Sequence, residues 1–100
     1  YVQPINIKLY QNYPNPFNPS TKINYELRSA LGGTNFVSLK VYDILGNKII
    51  ALVNEYKTAG SYDITFSATE EGLNLPSGVY FYSLEIDDIV VDSKKLLLLK

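Results

Sequence analysis

Between Thr21 and Arg28 apolar and polar side chains alternate strictly: Thr21, Ile23, Tyr25 and Leu27 interleave with Lys22, Asn24, Glu26 and Arg28. Successive side chains of an extended chain point to opposite sides, so a period of two makes one wet face and one apolar face that another layer must cover. The same period sets Val37, Leu39 and Val41 against Ser38 and Lys40, and Tyr62, Ile64 and Phe66 against Asp63, Thr65 and Ser67. Runs rich in β-formers at 5–10, 48–53, 79–86 and 89–99 bring the total to about seven short strands. Residues 51–57 admit one turn of helix, but Gly60 closes it and the flanking β-branched residues favour extension.

Turn chemistry separates these runs. Asp43-Ile44-Leu45-Gly46-Asn47 predicts a tight hairpin with Gly46 at a positive φ, and Asp87-Asp88 predicts another. Gly32-Gly33-Thr34-Asn35, Thr58-Ala59-Gly60-Ser61 and Pro76-Ser77-Gly78 read as loops, so neighbouring strands are expected to pair antiparallel. The expected architecture is all-β, an immunoglobulin-like sandwich of two antiparallel sheets.

At 100 residues the chain has room for one core, and neither a repeat nor an interior linker divides it. One domain is expected over 1–100, with 1–4 as linker: Tyr1-Val2-Gln3-Pro4 has no initiator Met, basic region or apolar region, and reads as a cut from a longer polypeptide. A content of 46% hydrophobic and 19% charged residues suits a folded protein. A net charge of -1, spread along the chain, leaves no basic stripe for nucleic acid or an anionic membrane. The apolar run at 96–99 falls far short of the roughly 20 residues of a spanning helix, so no transmembrane segment is expected. With neither Cys nor His, disulfides, zinc sites and hydrolytic triads are excluded, and no catalytic residue, metal or cofactor is expected.

Three segments stand out. In Tyr13-Pro14-Asn15-Pro16-Phe17-Asn18-Pro19 each proline fixes its own φ and pushes the preceding residue toward extension, which predicts a stiff crossover unable to pair within a sheet. Asn15 and Asn18 are expected to bond neighbouring backbone as Asx turns do, and Phe17 to pin the loop onto the sandwich edge. Ser77-Gly78-Val79-Tyr80-Phe81-Tyr82 opens a strand with both tyrosines on one face, one of them tied back to the main chain as in a tyrosine corner. Lys94-Lys95-Leu96-Leu97-Leu98-Leu99-Lys100 reads as a last core strand with lysine gatekeepers, or as an address at a chain end. The pairs Glu70-Glu71 and Asp87-Asp88 match no calcium-loop spacing and read as solvated loop charges.

The block L-Y-Q-N-Y-P-N-P-F-N-P-S-T-K-I-N-Y-E-L at 9–27 resembles the opening of the type A C-terminal sorting domain of the type IX secretion system. V-S-L-K-V-Y-D-I-L-G-N-K-I at 37–49, A-G-S-Y-D-I-T-F at 59–66, S-G-V-Y-F-Y-S-L at 77–84 and the ending K-K-L-L-L-L-K follow in family order. The resemblance implies a non-catalytic address on a larger protein, a hydrolase or adhesin. That parent would cross the periplasm, be recognised by the outer-membrane machinery, lose the domain to a sortase-like peptidase, and end up released or attached to a surface glycolipid. It also implies candidate recognition residues: Asn15, Pro16, Phe17, Asn18 and Pro19 in the proline block, Gly78 and Tyr80, and the terminal Lys94, Lys95 and Lys100. The loops at 29–35 and 68–76 look longer than the family's, and recognition by surface complementarity with the last hairpin, 79–100, is expected, with strand addition at its edge as one way of achieving it. Two other classes compete: a retained structural or adhesive module, related to the immunoglobulin-like domain of flagellar hook-capping proteins, and a carbohydrate-binding module working through exposed tyrosines.

Overall fold

The computed structural model of the chain describes residues 5–29 and 33–100. The expected linker at 1–4 and Gly32 of the expected glycine turn lie outside them. Seven strands run through the described residues: β1 (Ile5–Leu9), β2 (Ser20–Ser29), β3 (Thr34–Tyr42), β4 (Lys48–Thr58), β5 (Gly60–Ser67), β6 (Gly78–Ile86) and β7 (Ile89–Leu98). One sheet has the order β1-β2-β5 and the other β4-β3-β6-β7, with every pairing antiparallel.

Consecutive strands pair in only three places, β1 with β2, β3 with β4 and β6 with β7. At the other connections the chain changes sheet, which corrects the expectation that all neighbours pair. The cause lies in the alternation itself: each sheet has one apolar face, and both faces are dry only if the chain lays one sheet over the other. The crossing from β4 to β5 takes a single residue, Ala59. Thr58, Gly60 and Ser61 are therefore strand residues and not loop, as are Thr34 and Asn35. The longer connection between β5 and β6 holds one 3-10 turn, Glu70–Gly72.

The facing layers bury the predicted positions. Ile23, Tyr25 and Leu27 come from β2, Val37, Leu39 and Val41 from β3, Tyr80, Tyr82, Leu84 and Ile86 from β6, and Leu96 and Leu98 from β7. The turns follow their residue types. Gly46 sits at φ 87, while Asp87 and Asp88 adopt φ 51 and 67, a left-handed pair that aspartate tolerates better than most side chains. Asp87 is also tied to Phe36: its N–H donates to the Phe36 carbonyl at 2.9 Å, and its Oδ1 accepts the Phe36 N–H at 3.1 Å.

Tyr82 couples a central strand to the loop that follows β1. Its buried hydroxyl donates to the Tyr10 carbonyl at 2.7 Å and accepts the Asn12 N–H at 2.9 Å. Burial is the main reason that this hydroxyl is pushed up to about 12, with Asp92 adding to the rise and the Asn12 N–H opposing it. Tyr25, stacked on Tyr62 with ring centroids 5.3 Å apart, is likewise pushed up to about 12, chiefly by burial.

Two outcomes are expected of unfolding titrations. Leu39→Ala, at a fully buried site, should lose about 3 kcal/mol, whereas Leu45→Ala in an exposed turn should change stability by less than about 0.5 kcal/mol. Stability should hold up to about pH 10 and fall between pH 10 and 12, because there the folded chain keeps tyrosine protons that the unfolded chain has released. Tyr82→Phe should flatten part of that alkaline slope and cost about 1–3 kcal/mol at neutral pH, since it leaves the Asn12 N–H without its acceptor.

Candidate functional site

Register places the two poles of the sandwich. At one pole lie the segment 10–19, the turn 43–47, the connection 68–77 and the end of β7, because Ser20 pairs with Ser67, Tyr42 with both Lys48 and Phe81, and Gly78 with Leu98. Ile5, Ala59 and the Asp87-Asp88 turn lie at the other pole. All ten recognition candidates map to the strand ends and loops of the first pole or to β7 leading into it. The strand alternation sets that pole's floor, and the proline block builds its wall.

The block does pair, contrary to expectation, but one residue at a time. Tyr13 exchanges main-chain hydrogen bonds with Lys22, each at 3.0 Å. Phe17 N–H donates to the Leu97 carbonyl at 3.0 Å, and the Phe17 carbonyl accepts the Leu99 N–H at 3.1 Å. Pro16 and Pro19 have no N–H, so no ladder extends from this bridge. The Tyr13-Pro14, Asn15-Pro16 and Asn18-Pro19 peptide bonds are all cis. Phe17 is 2% exposed, and its ring lies 6.0 Å from that of Phe66, which is the predicted pin.

Side chains extend the cover along β7. Asn15 Oδ1 accepts the Leu97 N–H at 3.0 Å, a bond across the fold and not to its neighbouring backbone as expected. Gln11 Nε2 donates to the Lys95 carbonyl at 2.6 Å. Asn18 and Pro19 are exposed, and the Pro19 carbonyl accepts the Ala68 N–H at 2.8 Å. Beneath the block lies a residue that sequence reasoning passed over: Asn12, buried, whose Nδ2 donates to the Pro14 carbonyl at 3.2 Å and lies 3.0 Å from Thr21 Oγ1. Thr21 Oγ1 donates to the same carbonyl at 2.8 Å. Nothing in its local sequence marks this asparagine as buried.

The remaining candidates are spread around this wall. Gly78 opens β6 opposite Leu98. Tyr80 donates its hydroxyl to the Pro76 carbonyl at 2.6 Å, so both tyrosines of this strand, and not one, are tied to main chain. Burial raises the Tyr80 hydroxyl, with Asp43 adding to it. Lys100 reaches Asn74 Oδ1 at 3.1 Å and donates its N–H to Ser77 Oγ at 2.9 Å. Lys94 stands 4.0 Å from Asp92 Oδ2 and is half-buried, while Lys95 is exposed.

The neighbouring turn is held from within. Asp43 Oδ1 accepts the N–H groups of Leu45 and Asn47, each at 2.9 Å, and these bonds, that from Asn47 first, hold its carboxyl below the usual carboxylate range. Ile44 and Leu45 are left 69% and 83% exposed. Among the described residues no three acidic side chains gather to hold a metal ion.

Several solved structures share the fold at low identity. A β-glucosidase from Kluyveromyces marxianus superposes with a TM-score of 0.76 at 11% identity over 98% of this chain and 14% of its own. A β-glucosidase from Listeria innocua does so at 0.68 and 10% identity, covering 96% of this chain and 16% of its own. An alkylpurine DNA glycosylase from Pseudomonas fluorescens reaches 0.63 at 14% identity, over 94% of this chain and 30% of its own. The chain thus spans a small part of each, and the likeness is one of architecture. No curated protein matches it. A family model does, described as a secretion system C-terminal sorting domain and matching residues 11–98, from Gln11 beside the buried Asn12 to the Leu98 that Phe17 bridges. This chain belongs to that family, the C-terminal sorting domains of the type IX secretion system.

Proposed function

We propose that this domain is the address by which the type IX outer-membrane machinery selects a folded protein joined to it, before a sortase-like peptidase removes the address and the parent is released or fixed to the cell surface. The observation that carries this reading is the family match over 11–98. The geometry fits it: the proline block, the tied tyrosines and the end of β7 share one pole, whereas Ile5 lies at the other. β2 has ten residues and spans about 33 Å, so a parent preceding Ile5 would stand well clear of the pole that is read. The recognition candidates Asn15, Pro16, Phe17, Asn18, Pro19, Gly78, Tyr80, Lys94, Lys95 and Lys100 divide under this reading. Phe17, Tyr80 and the Asn15 side chain shape the surface, and the exposed lysines and prolines are available to a receptor.

Strand addition at the edge of the last hairpin meets an obstacle between Lys95 and Leu99, where the Lys95 carbonyl, both Leu97 main-chain groups and the Leu99 N–H already have partners. Deleting the last seven residues would also be a poor test, because Leu96 and Leu98 are fully buried and their loss unfolds the sandwich.

A second reading, a module retained in the mature protein, draws on the β-glucosidases, in whose chains a domain of this architecture is one part of a larger enzyme. The carbohydrate-binding reading loses ground. Of the described tyrosines, Tyr13 and Tyr56 are the exposed ones, and they lie toward opposite poles with no shared platform between them.

Two measurements test these readings. A fluorescent reporter with an N-terminal signal peptide and residues 1–100 at its C-terminus should appear in the medium or on the surface of a bacterium with the type IX system, and not in a secretion-null strain. Mass spectrometry of the exported reporter should find the domain removed; an intact domain would favour the retained module.

A further inference from the structure

The two outer faces of the sandwich differ. On the three-stranded sheet Lys22, Asn24, Arg28, Asp63 and Thr65 stand in water, as an uncovered face should. On the four-stranded sheet Ser38, Ser83 and Glu85 also point outward, yet all three are buried. Ser38 is paired with Asn54 Oδ1 at 3.0 Å, and Glu85 with Lys40 Nζ at 3.2 Å and the Tyr42 hydroxyl at 3.3 Å. Ser83 is not: 6% exposed, its Oγ has no hydrogen-bond partner among the described residues.

Beside it an open groove of about 400 Å³ is lined by Tyr42, Ile44, Leu45, Phe81, Ser83 and Ser93, with the Ser83 Oγ itself covered by neighbouring protein atoms. The bonds to Asp43 fix the turn, so Ile44 and Leu45 are exposed by construction and their display costs no ordering on binding. Across the sheet the register Lys48, Tyr42, Phe81, Lys95 puts an exposed lysine at each end of the row. Neither lysine has a carboxylate partner among the described residues, where the ion pairs use Lys40, Lys57 and Lys94.

We infer that this groove and its rigid turn form a docking surface for a protein partner that offers an apolar hollow to Ile44 and Leu45 and carboxylates to Lys48 and Lys95. Positive charge at both ends of the row and apolar side chains between them specify an acidic-rimmed protein surface more closely than a lipid layer. Two aliphatic tips would enter a bilayer only shallowly, and the groove behind them would stay empty. The surface lies at the pole remote from Ile5, next to the proline block. The inference rests on the export role and names where the domain is read.

The test uses the same reporter fused to the unsubstituted domain, to Ile44→Glu with Leu45→Glu, to Lys48→Glu with Lys95→Glu, and to Lys22→Glu with Arg28→Glu on the solvated face. Unfolding midpoints of the purified domains confirm that each variant folds. Export should fall about tenfold or more for the first pair, fall for the second, and stay unchanged for the third. Export of the unsubstituted domain with equal export of the Ile44/Leu45 variant overturns the docking surface and leaves the export role standing. An unsubstituted domain held in the periplasm overturns the export role, and this inference with it. Flotation of the purified domain with phosphatidylglycerol-containing vesicles, abolished by the Ile44/Leu45 substitutions, would assign the surface to lipid. A dimer in sedimentation dissolved by the same substitutions would assign it to a second copy, and either result overturns the acidic protein partner.

Discussion

The last strand lies at the margin of its sheet, and a marginal strand presents N–H and C=O groups that must be satisfied or else invite another chain. Here a loop satisfies them that proline prevents from becoming a strand. Phe17, between Pro16 and Pro19, keeps both main-chain groups and spends them on the Leu97 carbonyl and the Leu99 N–H, while the Gln11 and Asn15 amides serve the two groups that precede these, the Lys95 carbonyl and the Leu97 N–H. An ordinary edge strand in this place would have moved the open margin outward by one position. The proline block closes it, and the Phe17 ring, set into the core beside Phe66, keeps the closure in place.

Much of the fold was legible because its signal is local. Alternation names the inner face of β2, β3 and β5, and aspartate and glycine name the turns at Gly46 and Asp87-Asp88. Which strands share a sheet was not legible, since the crossing at Ala59 looks in sequence like any short loop. Whether a chain folds back on its own sheet or crosses to the other depends on which apolar faces meet, and that is a property of the whole set of strands.

The candidate site divides along the same line. Phe17 as a pin and a tyrosine tied to backbone followed from residue type, because a phenylalanine ring has no polar group to keep in water and a buried phenol needs an acceptor. The bonds of Asn15 and Gln11 to the far strand, the burial of Asn12, and the orphaned Ser83 join residues remote in sequence, and their local context says nothing of the partner. Exposure of Ile44 and Leu45 was hidden in another way. The sequence places the two aliphatics in the hairpin turn, but only the bonds that Asp43 accepts show how firmly the turn holds them outward.

The bonds that complete the pole span the chain, since Gln11 meets a residue 84 positions later and Asn12 meets one 70 positions later. Contacts of that reach form only after nearly all of the polypeptide has left the ribosome, and slowly even then. A fragment ending before β7 has neither the strand nor the loop seated on it, so the pole is a record of completed synthesis. If that pole is what a transport apparatus reads, then prematurely ended chains carry no legible address, and selection for export excludes them without a separate inspection step.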